Sequence, residues 1–428
     1  MTRLCPQLVD NLHIRYGKEI FNIKLPFKVE LIDSNKETPH LSNDEIYKKT
    51  MTYAIKSQSL NALINKAKKI LIVLPDITRK SGVKFILPYL INDICKNNKP
   101  FNIIFATGIH RSITSNEIKE IIGYDIYDIV KDKVIEHNPY DRINHIYYGK
   151  TKKGTPLLLN SAYHNSDLII TIGAITYHYF AGFGGGRKMI IPGIAAENTI
   201  INNHKLVIDE KNLKRRPTAT TGKLQNNPVH NDIIEGVMIT KANKTLFAIN
   251  TIIDEKENLI DIVSGDLFMS HIEACREYFD MTAIKVNKKY DILIVSCGGF
   301  PKDINMVQAH KSLNRISNIA KEKAQIYFFS ECIDGFGNNY FKEFFDIGSS
   351  KEMIKELIKN YHVNRQTAYS LKLLTENYDI NLYSNFDEQE CRKMGFKKIN
   401  SIEALKTINP NNRNIAFIPN AYNYLFED

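Results

Sequence analysis

Three apolar runs, each followed at once by polar residues, most constrain the fold of this chain. The runs span 69–75, 101–106 and 168–175. Continuous apolar runs of this length are typical of strands that are buried on both faces of a parallel sheet. Strand–helix alternation resumes near Tyr290. The sequence therefore predicts an α/β fold with mostly parallel sheets in two domains, an N-terminal domain of residues 1–285 and a C-terminal domain of residues 286–428.

Polar residues follow four of the predicted strands at their carboxyl ends. The clusters are Asp76/Thr78/Arg79, Thr107/His110/Arg111, His178 with the loop that follows it, and Gly298/Gly299 with Gln308 and Lys311. Ligands of open parallel sheets bind beyond the carboxyl ends of the strands. Because the fourth cluster belongs to the second domain, we expect an active site in the cleft between the two domains.

The loop after the third run is rich in glycine and positive charge. Gly184, Gly185 and Gly186 are followed by Arg187 and Lys188, and His204 comes later in the same stretch. Backbone N–H groups in such a loop can form a nest for an anion. The P-loop pattern fails because Arg187 precedes Lys188, and the dinucleotide pattern fails because Arg187 stands where its third glycine is needed. A flexible connection that uses glycine only for turning is the plain alternative.

Composition and charge narrow the class of protein. The chain has 428 residues and a formal net charge of +10, with Lys and Arg dispersed among Asp and Glu. This dispersal favours a solvated surface over a nucleic-acid-binding stripe, and positive charge favours an anionic substrate. The sequence shows no membrane-length apolar run, no signal peptide and no C-x-x-C among its six cysteines. We therefore predict a cytoplasmic protein with reduced thiols and no membrane partner.

Two histidines point to acid–base chemistry. His110 and His178 follow separate strands and could flank one carbon centre, while Arg79 and Lys311 could hold a carboxylate. Two bases on opposite faces of a carbon are what inversion of configuration requires. Metalloprotease, zinc and serine-hydrolase patterns are all missing, so a metal cage built by the protein alone is not indicated. The residues alone do not name an electron acceptor.

Two other classes of function stay open on the residues alone. One is a non-catalytic binder of a phosphorylated or carboxylated metabolite, which would use Arg79, Lys311 and the glycine loop without needing the histidines. The other is a nicotinamide dehydrogenase, which the missing dinucleotide pattern disfavours.

Five blocks of this sequence together resemble the nickel-dependent lactate racemase family. They are Asp-Ile-Thr-Arg at 76–79, Ala-Thr-Gly-Ile-His-Arg at 106–111, His178 with Ala-Gly-Phe-Gly-Gly-Gly-Arg-Lys at 181–188, Asn203-His204, and Gly-Gly-Phe-Pro-Lys-Asp at 298–303 leading to Gln308 and Lys311. The resemblance covers most of the chain. One such block would be a weak signal, whereas five at this spacing are specific.

The resemblance implies a cofactor and a set of site residues. The cofactor is a nickel-pincer nucleotide, a pyridinium mononucleotide with two thio-acyl groups, joined to Lys188 through a thioamide. His204 would be the protein ligand of Ni(II), and most other ligands would come from the cofactor. The remaining matches are the catalytic pair His110 and His178, the substrate-binding residues Arg79, Gln308 and Lys311, and Asp76 as a supporting, cofactor-side residue. We assign Gly184, Gly185 and Gly186 to the cofactor phosphate.

The implied reaction is racemisation or epimerisation of a 2-hydroxy acid by proton-coupled hydride transfer. One histidine takes the hydroxyl proton while hydride moves to the cofactor, and the 2-keto acid reorients before the hydride returns. The family pattern has Ser at the position of Gly184 and Ala at that of Arg187, and this chain lacks tryptophan. The substrate therefore stays open between lactate and a larger 2-hydroxy acid. Enzymes that build the cofactor are the implied protein partners.

Overall fold

The computed structural model describes residues 2–3, 7–33, 39–254 and 256–427. They form two compact units. Unit 1 contains the described residues of 1–36, 208–215 and 279–428, and unit 2 contains those of 37–207 and 216–278. Within these ranges, every helix is too short or too polar to cross a membrane.

Strands and helices alternate along most of the chain. The strands are β1 (Thr2–Arg3), β2 (Gln7–Tyr16), β3 (Glu19–Leu31), β4 (Ile70–Pro75), β5 (Phe101–Ala106), β6 (Val134–Ile135), β7 (His145–Lys150), β8 (Pro156–Asn160), β9 (Leu168–Ala174), β10 (Tyr177–His178), β11 (Gly182–Phe183), β12 (Ile208–Asp209), β13 (Lys214–Arg215), β14 (Thr245–Ile253), β15 (Leu259–Asp266), β16 (Ala283–Lys285), β17 (Tyr290–Ser296), β18 (Ala320–Phe329), β19 (Asp379–Tyr383), β20 (Lys397–Lys398), β21 (Ile415–Ile418) and β22 (Leu425–Glu427). The α-helices are α1 (Asn43–Tyr47), α2 (Leu60–Lys66), α3 (Val83–Lys96), α4 (Ser115–Ile122), α5 (Tyr124–Val130), α6 (Ser161–His164), α7 (Glu197–Lys205), α8 (Pro228–Lys241), α9 (Met269–Thr282), α10 (Met306–Ile316), α11 (Asn339–Phe344), α12 (Ser350–Lys359), α13 (Val363–Asn377) and α14 (Glu388–Met394). Short 3-10 turns lie at Lys131–Lys133, Gly186–Met189, Phe345–Ile347 and Ile402–Thr407, and a π-helical turn lies at Lys48–Thr52.

Unit 2 is built on a six-stranded sheet in the order β15-β14-β9-β4-β5-β6. Neighbouring strands are parallel except for the β14–β15 pair at one edge. Every residue of β4 is buried, as its apolar sequence predicts, and Ile72, Ile103 and Ile170 from three adjacent strands share one core. Because β9, β4 and β5 are adjacent and parallel, the residues that follow them lie along one edge of the sheet.

Unit 1 is built on a seven-stranded sheet in the order β2-β3-β21-β17-β18-β19-β20. All neighbours are parallel except the β2–β3 hairpin. The buried carboxylate of Asp303 joins the hairpin to the rest of the sheet, because its Oδ2 accepts the N–H groups of Gly17 (2.8 Å) and Glu331 (3.2 Å). The α/β class with mostly parallel sheets is therefore confirmed.

The N-terminal segment departs from the expected division of the chain. The sequence prediction placed residues 1–285 in one domain, whereas the β2–β3 hairpin belongs to the unit 1 sheet through the pairing of β3 with β21. Residues 208–215 also belong to unit 1. Strand pairing between distant parts of a chain leaves no mark in local sequence patterns. The main segment of unit 1 nevertheless begins at Phe279, close to the expected boundary.

Candidate active site

A carboxylate–histidine pair lies beyond the carboxyl ends of β4 and β5. Asp76 Oδ2 is 2.6 Å from His110 Nδ1, and Asp76 Oδ1 accepts the N–H (3.1 Å) and the hydroxyl (2.6 Å) of Thr78. The Asp76 side chain is 7% exposed and that of His110 is 51% exposed. Burial raises the pKa of Asp76, but the hydrogen bonds from His110 and Thr78 outweigh it and hold that pKa below its usual value. A carboxylate can only accept, so His110 donates from Nδ1 and the neutral ring has its acceptor lone pair on Nε2.

A single buried phenyl ring, Phe180, brings three of the predicted residues together. It lies in the turn between β10 and β11, and its ring makes edge contacts with those of His178 (centroids 4.5 Å apart) and His204 (4.9 Å). The Lys188 amine is 5.7 Å from the centroid of the same ring. Residues that are well separated in sequence therefore surround one side chain. His178 Nδ1 accepts the N–H of Ala181 (3.2 Å), so the neutral His178 ring carries its hydrogen on Nε2.

The Lys188 amine lies in a positive, mostly desolvated environment. Burial lowers its pKa well below the usual value, and the charges of Arg187 and Arg79 lower it further. A lysine amine that is neutral at physiological pH is a nucleophile, which a charged ammonium is not.

His204 is the buried histidine of the group. It lies in the last turn of α7 and is 6% exposed. Its Nδ1 is buried and forms no hydrogen bond of normal geometry with any described residue. Burial lowers the pKa of His204 to about 3, and the charge of Lys188 contributes to the same shift. The ring is therefore neutral at physiological pH, which is the form that binds metals.

This group of donors fits a metal that arrives with most of its own ligands. In the part of the chain that the structure describes, no three His, Cys, Asp or Glu side chains are grouped so that they could hold an ion. One neutral imidazole and one buried amine with a lowered pKa, both beside Phe180, suit a cofactor that binds covalently to the amine and leaves one metal position for the imidazole. The residues present therefore fit a nickel-pincer nucleotide.

The glycines of the loop are needed by the backbone itself. Gly185 and Gly186 have φ values of 69° and 48°, and a Cβ at Gly186 would come within 2.5 Å of the His271 ring. The Gly184 N–H is taken by the carbonyl of Thr176 (2.8 Å). Close packing explains these glycines directly, and their contact with a cofactor phosphate stays a prediction.

The two predicted residues in unit 1 contact each other. Gln308 and Lys311 lie on one face of α10, and the Lys311 amine donates to Gln308 Oε1 (2.5 Å). The i, i+3 spacing predicts this contact. Their role in substrate binding stays a prediction, as does a site between the two domains.

Models of known protein families match two parts of the chain. The lactate racemase N-terminal domain matches residues 16–215, and the lactate racemase C-terminal domain matches residues 285–423. The chain belongs to the lactate racemase family. It is therefore an isomerase of the racemase class.

Curated and structural relatives agree with this family membership. The lactate racemase of Thermoanaerobacterium thermosaccharolyticum is 32% identical over 341 residues, 78% of each protein. That of Lactiplantibacillus plantarum is 30% identical over 324 residues, 74% of this chain and 73% of the relative. The lactate racemase apoprotein structure from T. thermosaccharolyticum matches with a TM-score of 0.86 at 27% identity, covering 98% of this chain and all of that one. A Thermotoga maritima protein at 17% identity, with a TM-score of 0.66 and 92% of this chain covered, shares the fold.

Sequence reasoning missed the side chains that hold these residues in place. Phe180 lies inside the recognised block, yet an isolated phenylalanine in a sequence indicates only a core position. His230 and His271, which contact the glycine loop through Arg187, lie outside every block. No local signal could have found them, since their role depends on tertiary packing.

Proposed function

We propose that this chain interconverts the enantiomers of a 2-hydroxy acid, either lactate or a larger analogue. The observation that carries the proposal is the gathering of His178, Lys188 and His204 around Phe180. The names of the curated relatives support lactate as the first substrate to test.

Lys188 and His204 would hold the nickel-pincer nucleotide. A neutral amine is the form that can be acylated, so the lowered pKa of Lys188 suits formation of a thioamide. A neutral imidazole at His204 suits coordination of Ni(II), and Gly184, Gly185 and Gly186 would face the phosphate. When bound, the cofactor supplies an acceptor that takes the C2 hydrogen of the substrate as hydride and returns it. The enzymes that build the cofactor would be partners of this chain.

The two histidines would move the substrate hydroxyl proton. His110 would take that proton on Nε2 from one enantiomer. His178 would take it on Nε2 from the other, which requires the neutral ring to carry its hydrogen on Nδ1 and to give up the hydrogen bond from the Ala181 N–H. Each turnover would start with one ring neutral and its partner protonated. The contact between Asp76 and His110 argues for Asp76 as a residue that orients His110, and less for a direct contact with the cofactor. Asp76 would fix the tautomer of His110 and lie beside its ring when that ring carries the proton.

The substrate carboxylate would be bound by a guanidinium and an amine. Arg79 is exposed at the end of β4, and a guanidinium can bind a carboxylate through two parallel hydrogen bonds. Gln308 and Lys311 are the further residues that we assign to substrate binding. A guanidinium and an ammonium together would neutralise the carboxylate and select for acids over neutral alcohols.

The test is a panel of single-enantiomer 2-hydroxy acids, incubated with protein that was produced together with the cofactor-building enzymes. Chiral chromatography should show both enantiomers with at least one acid in the panel, and intact-mass spectrometry should show an adduct on Lys188. Tight binding of a carboxylate by calorimetry, with no adduct and no inversion, would support a non-catalytic binder instead.

A further inference from the structure

Arg187, at the end of the glycine-rich loop, is wholly buried although it carries a charge. Its Nη1 donates to the carbonyl of Phe183 (2.9 Å), its Nη2 to that of Ala181 (3.0 Å), and its Nε to His230 Nδ1 (3.1 Å). Nη1 also lies 3.4 Å from the carbonyl of Gly184. The guanidinium therefore spans the loop from Ala181 to Gly184 and ties it to α8, the helix that carries His230.

A second helix contacts the same guanidinium through His271 of α9. His271 Nε2 lies 2.7 Å from Arg187 Nη1 and 2.9 Å from the carbonyl of Gly184. A guanidinium can only donate and a carbonyl can only accept, so Nε2 can form only one of these two hydrogen bonds at a time. In the shorter contact, with Arg187, Nε2 accepts and the neutral ring carries its hydrogen on Nδ1. Burial and the charge of Arg187 lower the pKa of His230 to about 3 and that of His271 well below its usual value. Both rings are therefore neutral beside the cation.

No carboxylate is among the described partners of Arg187. Burial lowers the pKa of Arg187 to about 10, so it is still charged at neutral pH. Its partners among the described residues are carbonyl oxygens and ring nitrogens. A buried charge is costly unless its hydrogen bonds are satisfied, and a guanidinium can satisfy five N–H groups in one plane. A lysine in its place would have all its donors on one nitrogen, whereas Arg187 uses three nitrogens for Phe183, Ala181 and His230. The arrangement thus depends on the fork shape of arginine and not only on its charge.

Arg187 and Lys188 are neighbours in the 3-10 turn Gly186–Met189, and their side chains go to different places. The guanidinium enters the interior between α8 and α9, whereas the Lys188 amine lies over Phe180. We propose that Arg187 is a positioning residue, which fixes this turn so that the Lys188 amine is held beside Phe180 for covalent attachment. The part of the inference that concerns covalent attachment at Lys188 rests on the proposed function. The part that concerns the fixing of the loop by Arg187 can be tested without the cofactor.

The experiment compares Arg187→Lys, which keeps the charge but not the fork, with Arg187→Met, which removes both. Arg276→Met is the control, because Arg276 is an exposed arginine on α9 that pairs with Glu273. In apoprotein, hydrogen–deuterium exchange over residues 181–188 should rise about tenfold or more in both Arg187 variants, while β4 and β9 keep their protection. In protein produced with the cofactor-building enzymes, the folded fraction of both variants should carry at least about fivefold less adduct on Lys188, as the loss of even one hydrogen bond predicts.

Each outcome decides one part of the inference. Unchanged exchange and an unchanged adduct fraction in Arg187→Lys would overturn it and leave the proposed function intact. A wild-type chain without any adduct would overturn the proposed function and the consequence for Lys188, and apoprotein exchange would still show whether Arg187 fixes the loop. If Arg187→Met does not fold, His230→Phe removes one acceptor of the guanidinium and should give a smaller rise in exchange over the same peptide.

Discussion

The two sides of the candidate site give their histidines opposite environments, one exposed to solvent and the other buried. On the open side, formed by Asp76, Thr78, Arg79 and His110, the His110 ring is half-exposed and rests on a carboxylate. On the buried side, formed by Phe180, Lys188 and His204, the His204 ring is desolvated and has a pKa of about 3. Exposure and a carboxylate suit a ring that exchanges protons, whereas burial and neutrality suit a ring that holds a metal. The proposed roles thus assign the same type of side chain to two chemistries according to its surroundings.

If this comparison is right, substitutions on the buried side prevent the cofactor from being bound, whereas substitutions on the open side lower kcat without abolishing it. The predictions below run from the largest effect to the smallest.

Replacement of Lys188 by Met should abolish inversion completely. The substitution keeps the length of the side chain and removes the amine that forms the covalent bond, so the adduct should disappear from the intact mass. Lys96→Met, at the exposed end of α3, is the matched control and should keep both the adduct and the activity. If Lys188→Met inverted the substrate at the wild-type rate, covalent attachment at Lys188 would not be needed for the reaction, which would contradict the proposal.

Replacement of His110 or His178 by Ala should lower kcat by about 10²–10⁴-fold, the range for loss of a general acid or base. Both variants should keep the Lys188 adduct and the bound nickel, because neither ring is assigned to hold the cofactor. Chiral chromatography gives the rate, and intact mass with elemental analysis gives the loading. Full activity in either variant would show that two bases are not required.

Replacement of Asp76 by Asn should lower kcat by about 10–100-fold, the range for partners that orient a functional histidine. An amide facing His110 Nδ1 no longer enforces the donor tautomer on that nitrogen. Thr78→Val removes one hydrogen bond to Asp76 and should cost about 1 kcal/mol or less, roughly a fivefold change in rate. If Asp76 instead held the cofactor, Asp76→Asn would lower the adduct fraction and leave the rate per loaded molecule unchanged.

The depressed pKa of His204 predicts a pH dependence of stability in the apoprotein. Between about pH 6 and pH 4 the unfolded chain carries a proton on this residue, whose ordinary pKa is about 6.5, while the folded ring stays neutral. The unfolded state therefore binds more protons, and this residue lowers the free energy of unfolding by about 1.4 kcal/mol for each pH unit of acidification. Urea titrations at several pH values give the free energy of unfolding as a function of pH. Its slope against pH should be shallower for His204→Gln than for the wild type, and Asn202→Ala on the same helix should keep the wild-type slope. Equal slopes in all three proteins would contradict a buried, neutral His204.

Local pattern predicted the sheet of unit 2 and the edge at which its polar residues gather. The apolar runs at 69–75, 101–106 and 168–175 contain the adjacent parallel strands β4, β5 and β9, so Asp76 and His110 had to lie near each other. The resemblance to a family then indicated Lys188 and His204, which no periodicity could assign. The position of a polar residue that directly follows a buried strand can therefore be predicted from sequence, because the strand fixes where the next residue lies.

Tertiary packing decided what the sequence could not predict. Arg187 looked like added charge beside Lys188, whereas it turns inward to His230 and His271 from two later helices. The β2–β3 hairpin looked like part of the N-terminal domain, whereas it completes the sheet of unit 1. Both differences arise from contacts between residues that are distant in sequence, and such contacts leave no local pattern.

The fate of the hydrogen at C2 tests the proposed reaction most directly. Protein that carries the cofactor would be incubated in ordinary water with one enantiomer of a 2-deuterated 2-hydroxy acid. The opposite enantiomer would then be isolated by chiral chromatography, and its deuterium content would be measured by mass spectrometry. Hydride transfer predicts that the inverted product keeps its deuterium at C2. A product that has exchanged deuterium for solvent hydrogen would contradict that route, and no inverted product from any acid in the panel would contradict the assignment as a whole.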